Sequence, residues 1–310
     1  MNRIPSDNIE THFKNLTDPG DAPTWCRNKT DVSYGTGDHT VSTDTCHIQF
    51  YIPDTLSAPV LLYYRLTNFY QNHRRYVKSY DQAQLKGQDR SGAAINRSDC
   101  DPLQNDPNGK PYYPCGLIAN SVFNDTFHSP TLLNTIGNSD SSNTYNMTSK
   151  GIAWASDKDL YGTTKYKYDE VEPPPNWRKR YPEYSDEFPF PDFDQDEAFQ
   201  VWMRTAGLPT FSKLALRNND EDMVPGRYQI IVYDGRLTVW PFLSTRPILM
   251  PCLLLDFPVT LYDDTKSILI STRTVMGGRN PFLGIAYIIV GGLCIVLGAV
   301  FTVTQLIKPR

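Results

Sequence analysis

The sequence FLGIAYIIVGGLCIVLGAVFTVTQLI, residues 282–307, runs for 26 residues without a charged side chain. About 20 apolar residues are enough for an α-helix to cross the hydrocarbon core of a bilayer. The alternative is a buried helix of a soluble protein, but uninterrupted apolar runs in such helices are usually shorter. The stretch therefore predicts a transmembrane helix close to the C-terminus, followed only by residues 308–310.

Three glycines recur at every seventh position of this helix: Gly284, Gly291 and Gly298. At about 3.6 residues per turn, this spacing keeps them close to one helix face. Glycine makes little contact with lipid, but it lets the backbone of another helix approach closely. We predict that this face contacts a partner helix. The alternative is the ordinary tolerance of membrane helices for glycine.

The rest of the chain has the composition of an extracellular module. Mean hydropathy of the whole chain is −0.44 despite the apolar helix, and the net charge is −4. The acidic balance argues against a general affinity for nucleic acid. Aromatic residues make up 12% of the chain, and there are 24 prolines. This mixture favours strands joined by long loops over a helical bundle.

Glycosylation sequons and cysteines indicate which side of the membrane this part occupies. All five sequons and five of the six cysteines precede the helix, which is typical of an oxidising, glycosylating lumen. Lys308 and Arg310 agree weakly with a cytosolic C-terminus, although Arg273 and Arg279 on the other flank weaken that signal. The sequons are at Asn15, Asn28, Asn96, Asn124 and Asn146.

The cysteine spacing suggests disulfides within the lumenal part. Cys100 and Cys115 enclose the proline-rich segment DPLQNDPNGKPYYP. A bridge between them would close a loop of about 15 residues and contribute about 3 kcal/mol. Cys26 and Cys46 are the next plausible pair, although sequence alone does not determine connectivity.

The N-terminus poses a topological problem. It begins with the polar stretch MNRIPSDNIETHF, residues 1–13, which contains neither a signal peptide nor a hydrophobic anchor. A polar domain of this size needs a hydrophobic segment to direct it across a membrane. Either the orientation is the opposite one, or an upstream membrane helix is missing from this chain, and we favour the second explanation.

Hydrophobic periodicity predicts several regular elements. Apolar side chains at every second position indicate strands, and Phe199, Trp202, Met203 and Ala206 have the i, i+3, i+4, i+7 spacing of a helix. Gly207 and Pro209 should end that helix. Residues 1–45 show little periodicity. The predicted elements are strands at 46–52, 60–66, 228–233, 257–261 and 266–272, and a helix at 195–205.

The sequence contains no arrangement of residues that indicates catalysis. Asp192, Asp194 and Asp196 have the spacing of a calcium loop, but Glu197 stands where that loop needs glycine and Met203 where it needs glutamate. The five histidines lack zinc-site spacing, and no nucleophile elbow or phosphate-binding loop is present. We predict no catalytic residues, no metal and no cofactor, and therefore a binding or assembly protein. A basic set could meet lipid headgroups, a partner's carboxylates, or structural ion-pair partners; it consists of Arg65, His73, Arg74, Arg75 and Lys78.

Seven stretches of the chain together form a recognisable set. They are YYRLTNFYQNHRRYVKS (63–79), QLKG (84–87), PCGLIANSVFNDTF (114–127), GIAWASD (151–157), PPPNW (173–177), FQVWMRTAGLPTFSKL (199–214) and TVMGGRNPFLGIAY (274–287). Their order and density resemble the cell-division-control protein 50 / ligand-effect modulator 3 family, whose members are accessory β subunits of type IV P-type ATPases, the phospholipid flippases. The resemblance runs from about Ile4 to Arg310.

The resemblance implies a glycosylated, disulfide-bonded exoplasmic domain over residues 1–272. Its core should be mainly β, antiparallel and sandwich-like, with long loops and a few short helices. Residues 273–281 would be a juxtamembrane linker, 282–307 the transmembrane helix and 308–310 a cytosolic stub. The partner would be the catalytic α subunit, which hydrolyses ATP and moves lipid. The subunit would support complex assembly, exit from the endoplasmic reticulum and flippase activity, at the endoplasmic reticulum, Golgi or endosomes, and plasma membrane.

Two features depart from the family. Its first membrane helix is absent, and residues 235–255 form an apolar, proline-broken insert that carries Cys252. Some relatives also have a cysteine soon after the first helix, which could be the natural partner of Cys46. We interpret the insert as a gene-model error; a genuine hydrophobic loop that touches the membrane or the ATPase is the competing explanation.

Two other functions compete with the flippase subunit. A single-pass receptor or adhesion ectodomain would share the sequons, disulfides and β core, but it would not account for the glycine face or the ordered set of motifs. A membrane-anchored hydrolase would need a nucleophile or metal constellation that the sequence lacks.

Overall fold

The computed structural model describes residues 2–3, 23–33, 40–133, 143–233, 265–272 and 281–307. The chain forms two compact units, Met1–Thr272 and Arg273–Arg310. The described strands are β1 (Asn2–Arg3), β2 (Thr24–Ser33), β3 (Thr40–Ile52), β4 (Val60–Leu66), β5 (Thr126–Phe127), β6 (Thr131–Leu132), β7 (Phe211–Asn218), β8 (Gly226–Tyr233) and β9 (Lys266–Ser271). The helices are α1 (Arg74–Lys78), α2 (Gln82–Leu85), α3 (Gly92–Ile95), α4 (Leu117–Asn120), α5 (Ala155–Lys158), α6 (Glu197–Met203) and α7 (Pro281–Ile307).

The first unit contains two antiparallel sheets. One has the order β1-β2-β3-β8-β5, with β6 also pairing with β8, and the other has the order β7-β4-β9. Buried and half-buried residues alternate along β8, so its even-numbered residues face the core. In the central strand β4, every residue except Arg65 is buried. The prediction of a mainly β, antiparallel, sandwich-like domain is confirmed.

Side chains from both sheets meet in a shared core. Leu62 of β4, Leu216 of β7 and Ile230 of β8 form one buried cluster. Half-buried residues of β3 and β9 pack against it, among them Ile48 and Ile268. Full burial of an aliphatic side chain of this size contributes about 1.5–3 kcal/mol. These contacts hold the two sheets face to face.

Helix α6 is shorter than the predicted 195–205. It begins after Asp196, whose carboxylate accepts a hydrogen bond from the Phe199 N–H at 3.0 Å. An aspartate at this position satisfies one of the N–H groups that have no partner within the helix. The helix therefore begins at Glu197, after the predicted start at residue 195, and its buried face carries Phe199 and Trp202.

The second unit contains the predicted membrane helix. Helix α7 spans 27 residues from Pro281 to Ile307, and its segment Ile285–Thr304 is long and apolar enough to cross a bilayer. The hydroxyls of Thr302 and Thr304 donate to the carbonyls of Gly298 and Phe301 at 2.8 and 2.9 Å. Their polar groups are thus satisfied within the helix, as a hydrocarbon environment requires.

Several predictions lie outside the described residues. They are the strand at 257–261, the apolar insert 235–255 with Cys252, the sequon at Asn15 and most of the linker 273–281.

Candidate functional site

The Cys100–Cys115 disulfide that the sequence predicted is present, with a Cα–Cα distance of 5.7 Å. Both cysteines are buried and pack with Ile95 and Tyr112. Inside the loop, the Asp106 carboxylate accepts hydrogen bonds from backbone N–H groups and so gives the proline-rich segment a defined turn. The bridge therefore closes a segment that has little regular structure of its own.

The predicted Cys26–Cys46 disulfide is wrong. Cys26 lies opposite His47 in the antiparallel register of β2 and β3, and Cys46 lies opposite Arg27. Directly opposed residues share a face of the sheet, and successive residues alternate between faces. The two sulfurs are therefore on opposite faces. Cys26 keeps its thiol, whereas Cys46 is fully buried and disulfide-bonded.

Gln84, in the QLKG stretch, holds the disulfide loop from outside. Its buried amide donates to the Tyr112 carbonyl at 2.9 Å and accepts from the Cys115 N–H at 2.9 Å. Three residues on, Gly87 has a φ of +88°, and a Cβ there would lie 2.2 Å from the Thr163 carbonyl oxygen. Only glycine permits this conformation and this approach of two backbones.

Two buried tryptophans converge on helix α4. The Trp177 indole N–H donates to the Ala119 carbonyl at 2.9 Å, and the Trp202 indole N–H donates to the Ile118 carbonyl at 2.8 Å. These tryptophans come from the PPPNW and FQVWMRTAGLPTFSKL stretches, and α4 comes from PCGLIANSVFNDTF. These contacts bring together three stretches that are far apart in sequence.

Lys213 of β7 caps the end of α6 from inside the protein. It is 7% exposed, and its Nζ donates to the carbonyls of Val201 (2.7 Å), Trp202 (2.9 Å) and Arg204 (2.6 Å). No helical N–H reaches the last carbonyls of a helix, so a cation is favourable there. Burial and the Arg204 charge lower the pKa of Lys213 to about 7, whereas the three carbonyl acceptors favour the protonated form.

Glu197, in the first turn of α6, binds the GIAWASD stretch. Its buried carboxylate accepts from the Ala153 N–H at 3.0 Å and lies 3.5 Å from the Lys158 ammonium. Burial by itself raises the pKa of Glu197, but the N–H groups of residues 151–153 and the Lys158 charge outweigh it. The pKa is therefore held below its ordinary value.

An ion pair is buried in the first unit. The side chains of Lys266, in β9, and Asp125, just before β5, are 3% and 2% exposed and contact each other directly. The surrounding residues belong to both sheets and include Ile48, Tyr64 and Val232. Burial, followed by the nearby Tyr76 and Asp125, raises the pKa of the Tyr64 hydroxyl well above its usual value.

Several of the described titratable groups make structural contacts. Asp196, the last of the three aspartates with calcium-loop spacing, caps α6. In the part of the chain that the structure describes, no three His, Cys, Asp or Glu side chains are grouped so as to hold a metal. Arg75 of the basic set pairs with Asp101 at 2.7 Å.

The predicted glycosylation sites differ in exposure, and two glycines of the predicted contact face on α7 have open space around them. Asn28, Asn96 and Asn146 are exposed, whereas Asn124 is half-buried. On α7, a Cβ added at Gly291 or Gly298 would meet no other atom of the described chain within 4 Å. This leaves room for a second helix, although the predicted contact itself stays a prediction.

A comparison with family models decides the family. The model described as the LEM3 (ligand-effect modulator 3) family / CDC50 family matches residues 8–310. The chain belongs to this family.

Curated members of the LEM3/CDC50 family are similar along nearly the whole chain. The phospholipid-transporting ATPase accessory subunit CDC50 of Chaetomium thermophilum is 42% identical, over 99% of this chain and 71% of the relative. The accessory subunit LEM3 of Saccharomyces cerevisiae is 38% identical, over 99% of this chain and 68% of the relative. The human cell cycle control protein 50B is 37% identical, over 84% and 71%.

The sequence did not reveal the polar residues that hold the motifs together. Gln84 lay within a family stretch, but nothing marked its amide as buried. Lys213 offered one signal, because it lies within FSKLAL, in which every other residue except Ser212 is apolar. Its buried position depends on α6, which was predicted separately.

We expect Cys100→Ser to destabilise the first unit by about 3 kcal/mol, because the loop of about 15 residues is then no longer closed in the unfolded chain. The measurement is urea unfolding of the purified protein, followed by tryptophan fluorescence. We also expect the variant to be retained in the endoplasmic reticulum. Alkylation of Cys115 by a thiol reagent in the intact, unreduced wild type would show that the bridge does not form.

The lowered pKa of Glu197 predicts how stability depends on pH. The stability it contributes is present above the ordinary pKa of 4.5 and is lost as the pH falls through the lower folded value. The free energy of unfolding of Glu197→Gln should therefore fall less steeply with acidification than that of the wild type. The exposed Glu183→Gln is the control and should follow the wild type. Identical pH profiles for Glu197→Gln and the wild type would contradict this role.

Proposed function

We propose that this protein is the non-catalytic accessory β subunit of a phospholipid-transporting type IV P-type ATPase. The observation that carries the proposal is the match to one family over residues 8–310, with relatives named as accessory subunits of such ATPases. A single-pass receptor or adhesion ectodomain is not favoured, because it does not account for this match. The catalytic α subunit would hydrolyse ATP and translocate the lipid.

The topology is part of the proposal. Residues 1–272 would be lumenal or extracellular and carry the glycans, residues 273–281 would form a linker, 282–307 would span the membrane and 308–310 would be cytosolic. The three exposed sequons and the Cys100–Cys115 bridge support this orientation, since N-glycosylation and disulfide formation both take place in an oxidising, glycosylating lumen. The protein would reside in the endoplasmic reticulum, the Golgi or endosomes, and the plasma membrane.

The subunit would act by binding the ATPase, without taking part in its chemistry. By binding the folded ATPase and not its unfolded chain, it would stabilise the complex by mass action and so support exit from the endoplasmic reticulum. It could influence transport only by binding one conformational state of the ATPase more tightly than another. The β-sandwich and α7 offer two separate surfaces for this, one in the lumen and one in the membrane.

Affinity purification of the full chain from mild detergent tests the assignment. We expect a P-type ATPase to be recovered in stoichiometric amount, with membrane lipids bound to the complex. Recovery of the chain with cell-surface ligands or matrix proteins and without an ATPase would support the receptor alternative and overturn the proposal.

The glycine face gives a sharper prediction about the contact. Gly291→Leu should reduce ATPase recovery strongly, because the added side chain would occupy the space into which a partner helix packs. The chain itself has room for it, so helix α7 should still form. The adjacent Val290→Leu is the matched control and should leave recovery unchanged. Equal recovery with both variants would show that this face does not contact the ATPase.

A further inference from the structure

A cleft of about 660 Å³ opens in the first unit. One wall is formed by residues 120–128, around β5, and another by the last two residues of PPPNW and by residues 179–181, which follow it closely. Aromatic rings of Phe123, Trp177 and Tyr181 line it together with polar groups such as Asn176 and Arg180. Its volume falls within the range of about 300–1,000 Å³ that is typical of sites for small organic ligands.

Asn124, one of the predicted glycosylation sites, lies in the wall of this cleft. The other described sequon asparagines, Asn28, Asn96 and Asn146, are exposed, and none of them lines the cleft. A glycan on Asn124 therefore starts in the wall of the cleft, next to the other residues that line it.

We propose that the cleft binds the first N-acetylglucosamine units of the glycan on Asn124. A pyranose ring has apolar C–H faces that pack on aromatic rings, and hydroxyl and acetamido groups that form hydrogen bonds. The cleft offers both kinds of partner, with rings from Phe123 and Tyr181 and polar atoms from Asn176 and Arg180. Covalent attachment at Asn124 keeps the local concentration of the sugar high, so weak contacts suffice to hold it.

The order in which the residues are synthesised supports a glycan that lies within the cleft. Thr126, the hydroxyl residue of this sequon, belongs to β5 and pairs with Tyr233 of β8, more than 100 residues later in the chain. Trp177 and Tyr181 also follow Asn124 in sequence. A domain folds as a unit, after the segments that compose it have been synthesised from the N-terminus onward. The sequon is therefore in the lumen before the cleft exists, and the walls close around a sugar that is already attached.

This inference rests on the lumenal orientation in the proposed function, but not on the identity of the ATPase. The competing occupant is an exoplasmic segment of the ATPase. The two differ in a simple way: a glycan fills the cleft in the isolated chain, whereas the ATPase fills it only in the complex.

The test is site-specific release of glycans by endoglycosidase H from the native full chain, expressed alone in eukaryotic cells and retained in the endoplasmic reticulum. Glycopeptide mass spectrometry follows Asn124 and Asn96 in the same sample. We expect release from Asn124 to be slower by about tenfold or more, because the enzyme must wait for local opening of the cleft. After denaturation, both sites should be released at the same rate.

Equal native rates at the two sites, or an unglycosylated Asn124 beside an occupied Asn96, would overturn this inference and leave the proposed function intact. Protection that appears only in the purified ATPase complex would assign the cleft to the ATPase instead. Absence of glycan from every sequon would overturn the lumenal orientation itself, and this inference with it.

A pair of tyrosine variants separates the cleft from the general packing of the domain. Tyr181 and Tyr168 are both half-buried and pack against the same aromatic cluster, but only Tyr181 lines the cleft. Tyr181→Ala should raise the release rate at Asn124 toward that at Asn96, whereas Tyr168→Ala should leave the ratio unchanged. The same change with both variants would show that protection reflects domain stability and not contact with the cleft.

Discussion

Replacing Lys266 by methionine is expected to lower the free energy of unfolding of the first unit by about 3–5 kcal/mol, the usual cost of breaking a buried ion pair. The side chains of Lys266 and Asp125 are only 3% and 2% exposed, so bulk water does not replace the lost ammonium. Methionine keeps much of the volume of lysine, and the loss therefore reports the charge left on Asp125. Urea unfolding of the purified protein is the measurement.

Two further variants make this prediction specific. Lys110 pairs with Glu172 at 3.3 Å, but both side chains are partly exposed, so Lys110→Met should cost less than about 1 kcal/mol. The double variant Lys266→Met/Asp125→Leu removes both buried charges and should recover much of the lost stability. A Lys266→Met protein as stable as the Lys110→Met protein would show that the buried pair does not stabilise the fold.

Trp202→Ala is expected to destabilise the same unit by about 3–5 kcal/mol, because it leaves a large cavity where the motif stretches meet. The side chain is fully buried, donates to the Ile118 carbonyl and packs 5.7 Å from the Phe69 ring. Its loss should therefore loosen α6 from α4. Unfolding in urea gives the free energy, and the yield of protein that leaves the endoplasmic reticulum gives the cellular consequence.

Trp154 provides the matched control. It is also in a family stretch, but it is 57% exposed and stacks on the Arg204 guanidinium at the surface. Trp154→Ala should cost about 1 kcal/mol or less, the size of an exposed cation–π contact. Similar losses for both tryptophans would mean that the first unit is not stabilised specifically by the buried contacts of Trp202 with α4.

The sequence predicted the elements that have strong local periodicity. Helix α7 followed from an uninterrupted apolar run, and β4, β8, β9 and the second half of β3 followed from alternation or compact apolar stretches. Strand β3 begins at Thr40, before the predicted start at Cys46. Strand β2 was not predicted, because most residues of TWCRNKTDVS are exposed and carry no alternating pattern. Strand β7 was missed for a related reason: its buried positions are Lys213, Leu216 and Asn218, two of which are polar.

The candidate site was predicted only in part. Local spacing was enough for the Cys100–Cys115 bridge, since the two cysteines are 15 residues apart. The Cys26–Cys46 pairing failed because it depends on the register of β2 and β3, which spacing does not reveal. Contacts between residues far apart in the chain could not be predicted from local patterns. Lys266 and Asp125, for example, are 141 residues apart.

Reconstitution of lipid transport tests the central claim most directly. The chain and a type IV ATPase recovered with it are co-expressed, purified and placed in liposomes that contain a labelled phospholipid. We predict ATP-dependent translocation of the phospholipid by the complex, little or none by the ATPase expressed without this chain, and no ATP hydrolysis by the chain alone. Equal translocation with and without this chain would contradict its role as an accessory subunit.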